Sequence, residues 1–108
     1  MWNVDTKLLC DRHLLGEHLE MHMFVGSINK GTSMKGYLEK GLLKVSLIPR
    51  RHEELALELE RRGMNHLSPL PRIKGYPLWM NEGHVNIEAN LKELKHRCIN
   101  CKARMSHL

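Results

Sequence analysis

Apolar positions along this chain recur at helical spacing over three stretches, separated by segments rich in glycine and proline. The first stretch runs from Asp11 to Asn29. Drawn at about 100° per residue, it places Leu14, Leu15, Leu19 and Val25 on one side. Asp11 suits an N-cap and Gly31 supplies the stop. A second helix is predicted to open at Pro49. It carries Glu53 and Glu54 in its first turn, Arg61 and Arg62 in its last, and Gly63 just beyond, as the helix dipole favours. The third stretch begins at the cap Asn86 and continues to Met105, with Ile87, Leu91, Leu94, Cys98 and Cys101 on one stripe. Residues 1–10 read as an extended arm. Gly31–Pro49 reads as a loop with one short helical turn and an extended apolar run at Val45–Ile48. Asn65–Gly83 is a Pro/Gly-rich connection anchored by Tyr76 and Trp79. The expectation is an all-α, compact single domain spanning residues 1–108, with three main helices, long loops and an N-terminal arm.

Composition narrows this picture. A length of 108 residues suits one domain. With aromatic residues at 5 %, the core must be built from Leu, Ile, Val and Met. No apolar run approaches the roughly 18 residues of a membrane span, and the N-terminus lacks the order of a signal peptide. Three cysteines do not suit a secreted disulfide framework. These features predict a cytoplasmic protein that does not engage a membrane.

The net charge of +5 is unevenly spread. Lys30, Lys35, Lys40, Lys44, Arg50 and Arg51 face the single acid Glu39 within one stretch, and a second basic run spans Lys92 to Arg104. Such runs suit a polyanion, because displacing condensed counterions from phosphates drives binding. Arg12, Lys30, Lys35, Arg50, Arg51 and Lys74 are the expected phosphate contacts. A solvated basic surface is the plain alternative.

Candidate chemistry concentrates on the first helix. His13, Glu17, Glu20 and Phe24 form a stripe apart from the apolar side, and the first three read as an outward-facing polar set. Two carboxylates a turn apart disfavour each other's charge, and a neighbouring histidine can hold or relay a proton. A merely solvated charged face explains the same pattern.

The run from His13 through Glu17 to Glu20 resembles the opening helix of the pyrimidine-dimer DNA glycosylase (endonuclease V) family. The segment Arg51–Asn65 resembles that family's second helix and its exit, and Asn86–Leu91 is similar to the start of its third. Short phage members carrying a C-x-x-C tail look most like this chain. The resemblance implies a nucleophilic α-amine that attacks the sugar C1′, releases the base and leaves an imine, after which β-elimination nicks the strand. An ordinary α-amine titrates just above neutral pH, so part of it is free to attack. Trp2 is bulky for removal of an initiator methionine, which puts the amine on Met1. The implied catalytic set is Met1, Trp2, His13, Glu17 and Glu20, with Glu20 as acid and base and His13 orienting sugar or phosphate. The implied partner is double-stranded DNA with a damaged, modified or missing base, bound by a monomer that flips out a nucleotide. No cofactor is required for the imine route. Leu19 and Met23 stand where the family prototype has arginines, and Cys98–Arg104 replaces its aromatic C-terminal segment. The resemblance therefore implies the chemistry and leaves the lesion open.

Cys98 and Cys101 join His18 and His22, which lie four apart within the apolar side, as a candidate tetrahedral zinc set. Cys10 is a substitute ligand. A zinc there would be structural, stapling the first helix to the third; buried free thiols and packed imidazoles are the ordinary alternative. A redox role is disfavoured, because such a C-x-x-C is expected at a helix N-terminus and this one falls within the predicted third helix. Two other functions remain open: a zinc-stapled binding module without catalysis, and a metal-dependent nuclease using the histidine-rich helix.

Overall fold

A computed structural model describes residues 1–64, 68–76, 80 and 83–106. These residues are mostly helical and hold no strand. The helices are α1 (Asp11–Asn29), α2 (Lys35–Glu39), α3 (Ile48–Arg61), α4 (Ile87–Arg97) and α5 (Ile99–Met105). Single 3-10 turns stand at Thr6–Leu8 and Val45–Leu47, and one isolated antiparallel bridge joins Leu42 to Val85. Trp79, expected as a loop anchor, lies outside the described residues. Tyr76 packs half-buried against the core.

The helix ends follow local chemistry. Gly31 (φ 75°) and Gly63 (φ 77°) close α1 and α3 in the left-handed region. Each places its own N–H and the next residue's N–H on carbonyls of the last turn, at 3.0 Å after α1 and 2.9 Å after α3. Asn86 caps α4 by accepting from the Ala89 N–H at 3.0 Å.

Asp11, expected as the N-cap of α1, is its first helical residue behind Cys10, and three further local expectations change. Val45–Ile48 is a 3-10 turn running into α3 rather than an extended segment. In such a turn residues three apart eclipse, so Val45 and Ile48 bury together, where strand alternation would separate them. The predicted third helix divides at Cys98, whose backbone is extended (φ −125°, ψ 108°). Its N–H still reaches Leu94 O, and its sulfur then accepts from the Cys101 N–H, so Cys98 ends α4 and caps α5. The C-x-x-C pair therefore does open a helix. Finally, the buried stripe of α1 is rotated from the expected one. Leu14, Glu17, His18, Met21, Phe24, Val25 and Ile28 face inward, while Leu19 is 62 % exposed.

α1 packs along α3, whose buried stripe is Ile48, Arg51, His52, Leu55, Glu58 and Leu59. Burying each leucine there contributes about 1.5–3 kcal/mol. The N-terminal arm folds down over both helices, with Met1, Val4, Leu8 and Leu9 in the same core cluster. Arg62 fastens it: its guanidinium donates to Thr6 O (3.1 Å), Leu9 O (2.8 Å) and Asp11 Oδ1 (2.9 Å) while also bonding Glu58. α5 completes the clamp by packing against the Thr6–Leu8 turn.

Candidate functional site

The folded arm brings the first residue to the middle of α1. The Met1 α-ammonium donates to Leu42 O at 3.0 Å and is ion-paired with the Glu20 carboxylate. Asn90 of α4 holds the backbone from the other side, donating to Trp2 O at 2.8 Å and Met1 O at 3.4 Å. Asn3 takes φ 53°, the left-handed bend that turns the chain toward α1.

Glu17 lies one turn earlier than Glu20 and in a different environment. It is 2 % exposed, and its Oε2 accepts from the N–H groups of Trp2 and Asn3, both at 3.2 Å. Arg51 donates to both of its oxygens, through Nε at 2.7 Å and Nη2 at 2.9 Å. This satisfies a carboxylate that burial would otherwise penalise heavily. Glu17 is therefore not part of a solvent-facing set, and it grips the backbone that carries the amine. Glu20 keeps its side chain 32 % exposed, so the amine–carboxylate contact opens to solvent on one side. Two carboxylates here meet two cations, and the local charge cancels.

Arg51 likewise departs from its expected role. It is 3 % exposed and committed to Glu17, with a looser contact to Glu54, so it is not a surface cation available to phosphate. It lies on the buried stripe of α3, between Ile48 and Leu55, and that periodicity was the available signal. Arg12, Lys30, Lys35, Arg50 and Lys74 are exposed. Lys35 lies 3.6 Å from Glu39, an exposed pair of small energetic weight.

His13 turns away from both glutamates. Its Nδ1 lies 3.2 Å from Cys10 Sγ and 3.6 Å from Cys101 Sγ, and Cys10 Sγ lies 3.8 Å from Cys98 Sγ. The Cys10 N–H donates to Cys101 Sγ at 3.3 Å. The Trp2 ring stands edge-on to the His13 ring, with centroids 6.0 Å apart, and so touches the thiol cluster while its backbone touches Glu17. Burial, and then the charges of Arg12 and Arg97, hold the His13 imidazole below its ordinary pKa and so favour its neutral form. The Cys101 N–H, with further help from neighbouring donors, lowers the Cys98 pKa, whereas burial pushes the Cys101 thiol up to about 12.

The expected grouping of His18 and His22 with Cys98 and Cys101 does not form. His18 and His22 meet His52 of α3 instead, with ring centroids 4.4–5.1 Å apart. The thiols go to the start of α1 because Cys98 begins a new helix beside Cys10. Among the described residues, both Cys10/His13/Cys98/Cys101 and His18/His22/His52 bring their ligand atoms within 4.8 Å of one another, a spacing that could hold a metal ion.

A family model described as pyrimidine dimer DNA glycosylase matches residues 1–71 of the 108. The chain belongs to the pyrimidine dimer DNA glycosylase family. The matched span holds the arm, α1, α2 and α3, and thus every member of the Met1–Glu20–Glu17–Arg51 network. It ends before Asn90, Cys98 and Cys101. No curated protein and no solved structure matches the chain. Family membership makes DNA the expected substrate, and no described helix is long and apolar enough to cross a membrane.

Proposed function

We propose that this family member is a DNA glycosylase with abasic-site lyase activity, in which the Met1 α-amine is the nucleophile and Glu20 the acid and base. The ion pair between that amine and Glu20 is the observation that carries the reading. Glu20 accepts a proton from the ammonium. The freed nitrogen attacks C1′ of the target nucleotide, the glycosidic bond breaks, and the base leaves with the bonding pair and takes up a proton. The nitrogen gives up a proton to solvent, and the C1′–O4′ bond opens to give the imine as Glu20 hands its proton to O4′. Removal of a C2′ proton by Glu20 expels the 3′ phosphate, and water finally releases the sugar and regenerates the amine. Glu17 and Arg51 act as positioning residues, through the hydrogen bonds of Glu17 to the Trp2 and Asn3 backbone. Arg12, Lys30, Lys35, Arg50 and Lys74 supply phosphate contacts to a monomer working on duplex DNA in the cytoplasm.

Borohydride reduction in the presence of abasic or dimer-bearing duplex tests this directly. A covalent protein–DNA adduct is expected, and it should vanish when the α-amine is acetylated or the chain is extended by one residue. A metal-dependent nuclease is the second reading, favoured by the convergence of His18, His22 and His52. It predicts no adduct and cleavage that EDTA abolishes. Tight DNA binding with neither adduct nor cleavage would leave a binding module that has lost the chemistry.

A further inference from the structure

Two helix starts converge at one point beside the arm. Cys10 precedes α1 and His13 lies in its first turn; Cys98 precedes α5 and Cys101 lies in its first turn. Each helix thus offers the side chain of its N-cap residue and the one three residues later, a C-x-x-H from one and a C-x-x-C from the other.

The separations can be set against metal geometry. With Zn–S about 2.3 Å and Zn–N about 2.0–2.1 Å, tetrahedral edges are about 3.8 Å between sulfurs and about 3.6 Å between sulfur and nitrogen. The structure gives 3.8 Å for Cys10–Cys98, 3.6 Å for Cys101–His13 and 3.2 Å for Cys10–His13. All four ligand atoms lie within 4.8 Å of one another. We propose that Cys10, His13, Cys98 and Cys101 form a tetrahedral structural zinc site that ties the start of α1 to the C-terminal helix.

The surroundings suit such an ion. The Cys10 N–H points at Cys101 Sγ and the Cys101 N–H at Cys98 Sγ, donors that stabilise thiolates. Three thiolates and one neutral imidazole around a divalent cation carry one net negative charge, and the Arg12 and Arg97 charges felt at His13 offset it. His13 and Cys98 are half-buried, which leaves an approach for the ion while Cys10 and Cys101 shield it. The site stands on its own donor set and does not depend on the glycosylase reading. Its consequence reaches the arm nonetheless, because the Trp2 ring packs on His13 and the Trp2 backbone is bound by Glu17 and Asn90.

The test is metal analysis of the purified full-length chain, with Cys98→Ser and His22→Gln as paired variants. One equivalent of zinc is expected in the wild type and in His22→Gln, falling below about a tenth of an equivalent in Cys98→Ser. Should Cys98→Ser fail to fold, the wild type remains decisive. Replacing zinc with cobalt should give an intense thiolate-to-metal charge-transfer band, and chelation should lower Tm reversibly. Zinc retained by Cys98→Ser but lost from His22→Gln would move the metal to the histidine cluster and overturn the proposal. So would a metal-free chain in which Cys10 and Cys98 are joined by a disulfide.

Discussion

Two polar clusters share the first half of α1 and the arm that crosses it, and they are balanced in opposite ways. At the helix start three thiols and an imidazole face one another without an opposing charge among them. One to two turns later, Glu17 and Glu20 are each matched by a cation, Arg51 and the Met1 amine. On the proposed zinc site, the first set is completed by a bound cation. The second is already neutral, and the chemistry proposed for it consists of moving a proton between amine and carboxylate. On the two proposals, the difference separates a site that holds the arm from a site that uses the arm's end. Trp2 belongs to both, with its ring on His13 and its backbone on Glu17.

The strongest way to break this division is to exchange the expected phenotypes. Glu20→Gln should cut single-turnover base excision by about 10²–10⁴-fold, the ordinary weight of a positioned acid or base, with little change in Tm. Cys98→Ser should do the reverse, lowering Tm while the folded fraction still forms the borohydride adduct. Measuring both quantities on both variants checks the assignment; an intact excision rate in Glu20→Gln would remove its catalytic role.

A smaller effect is expected within the second cluster. Arg51→Met leaves the Glu17 carboxylate buried without its cation, and should destabilise the protein by about 3–5 kcal/mol in denaturant titration. Adding Glu17→Gln removes the stranded charge, so the double variant should be more stable than Arg51→Met alone. If the two losses simply add, the pair is not coupled as its geometry requires.

What could be seen in the sequence divides along the same line. Helix ends marked by local chemistry were legible: Gly31, Pro49, Gly63 and Asn86 stop or start helices where their residue types demand. The pairing of distant polar residues was not, because periodicity assigns a face but not the partner across it. Glu17 looked outward until Arg51 of α3 and the Trp2 and Asn3 amides were brought to it. The division at Cys98 was hidden for a related reason. The apolar stripe from Ile87 continues in phase to Cys101, so nothing in the pattern marks the residue whose backbone leaves the helix. A reading that placed Cys10-x-x-His13 beside Cys98-x-x-Cys101 would have found the thiol cluster, since the two spacings match.

The smallest expected effect sharpens the comparison at the clamp that holds the arm beside the thiols. Hydrogen bonds from Arg61 hold the Glu58 carboxyl at about 2 against burial, which acts to raise it, with Arg62 adding to the lowering. Its folded pKa is thus depressed from the ordinary 4.5. The carboxylate's contribution to stability is therefore complete above about pH 4.5 and is lost as the pH falls from there to about 2. On the proposed zinc site acid also releases the metal, so the wild-type profile alone mixes two causes. Comparison with Glu58→Gln separates them, because loss at the thiols is common to both proteins and cancels in the difference. That difference should be about 1–2 kcal/mol at neutral pH, discounted because Arg61 is largely exposed, and should shrink toward zero near pH 2. A gap that persists undiminished at pH 2 would mean that Glu58 holds Arg62, and through it the Thr6 and Leu9 carbonyls, by shape rather than by charge.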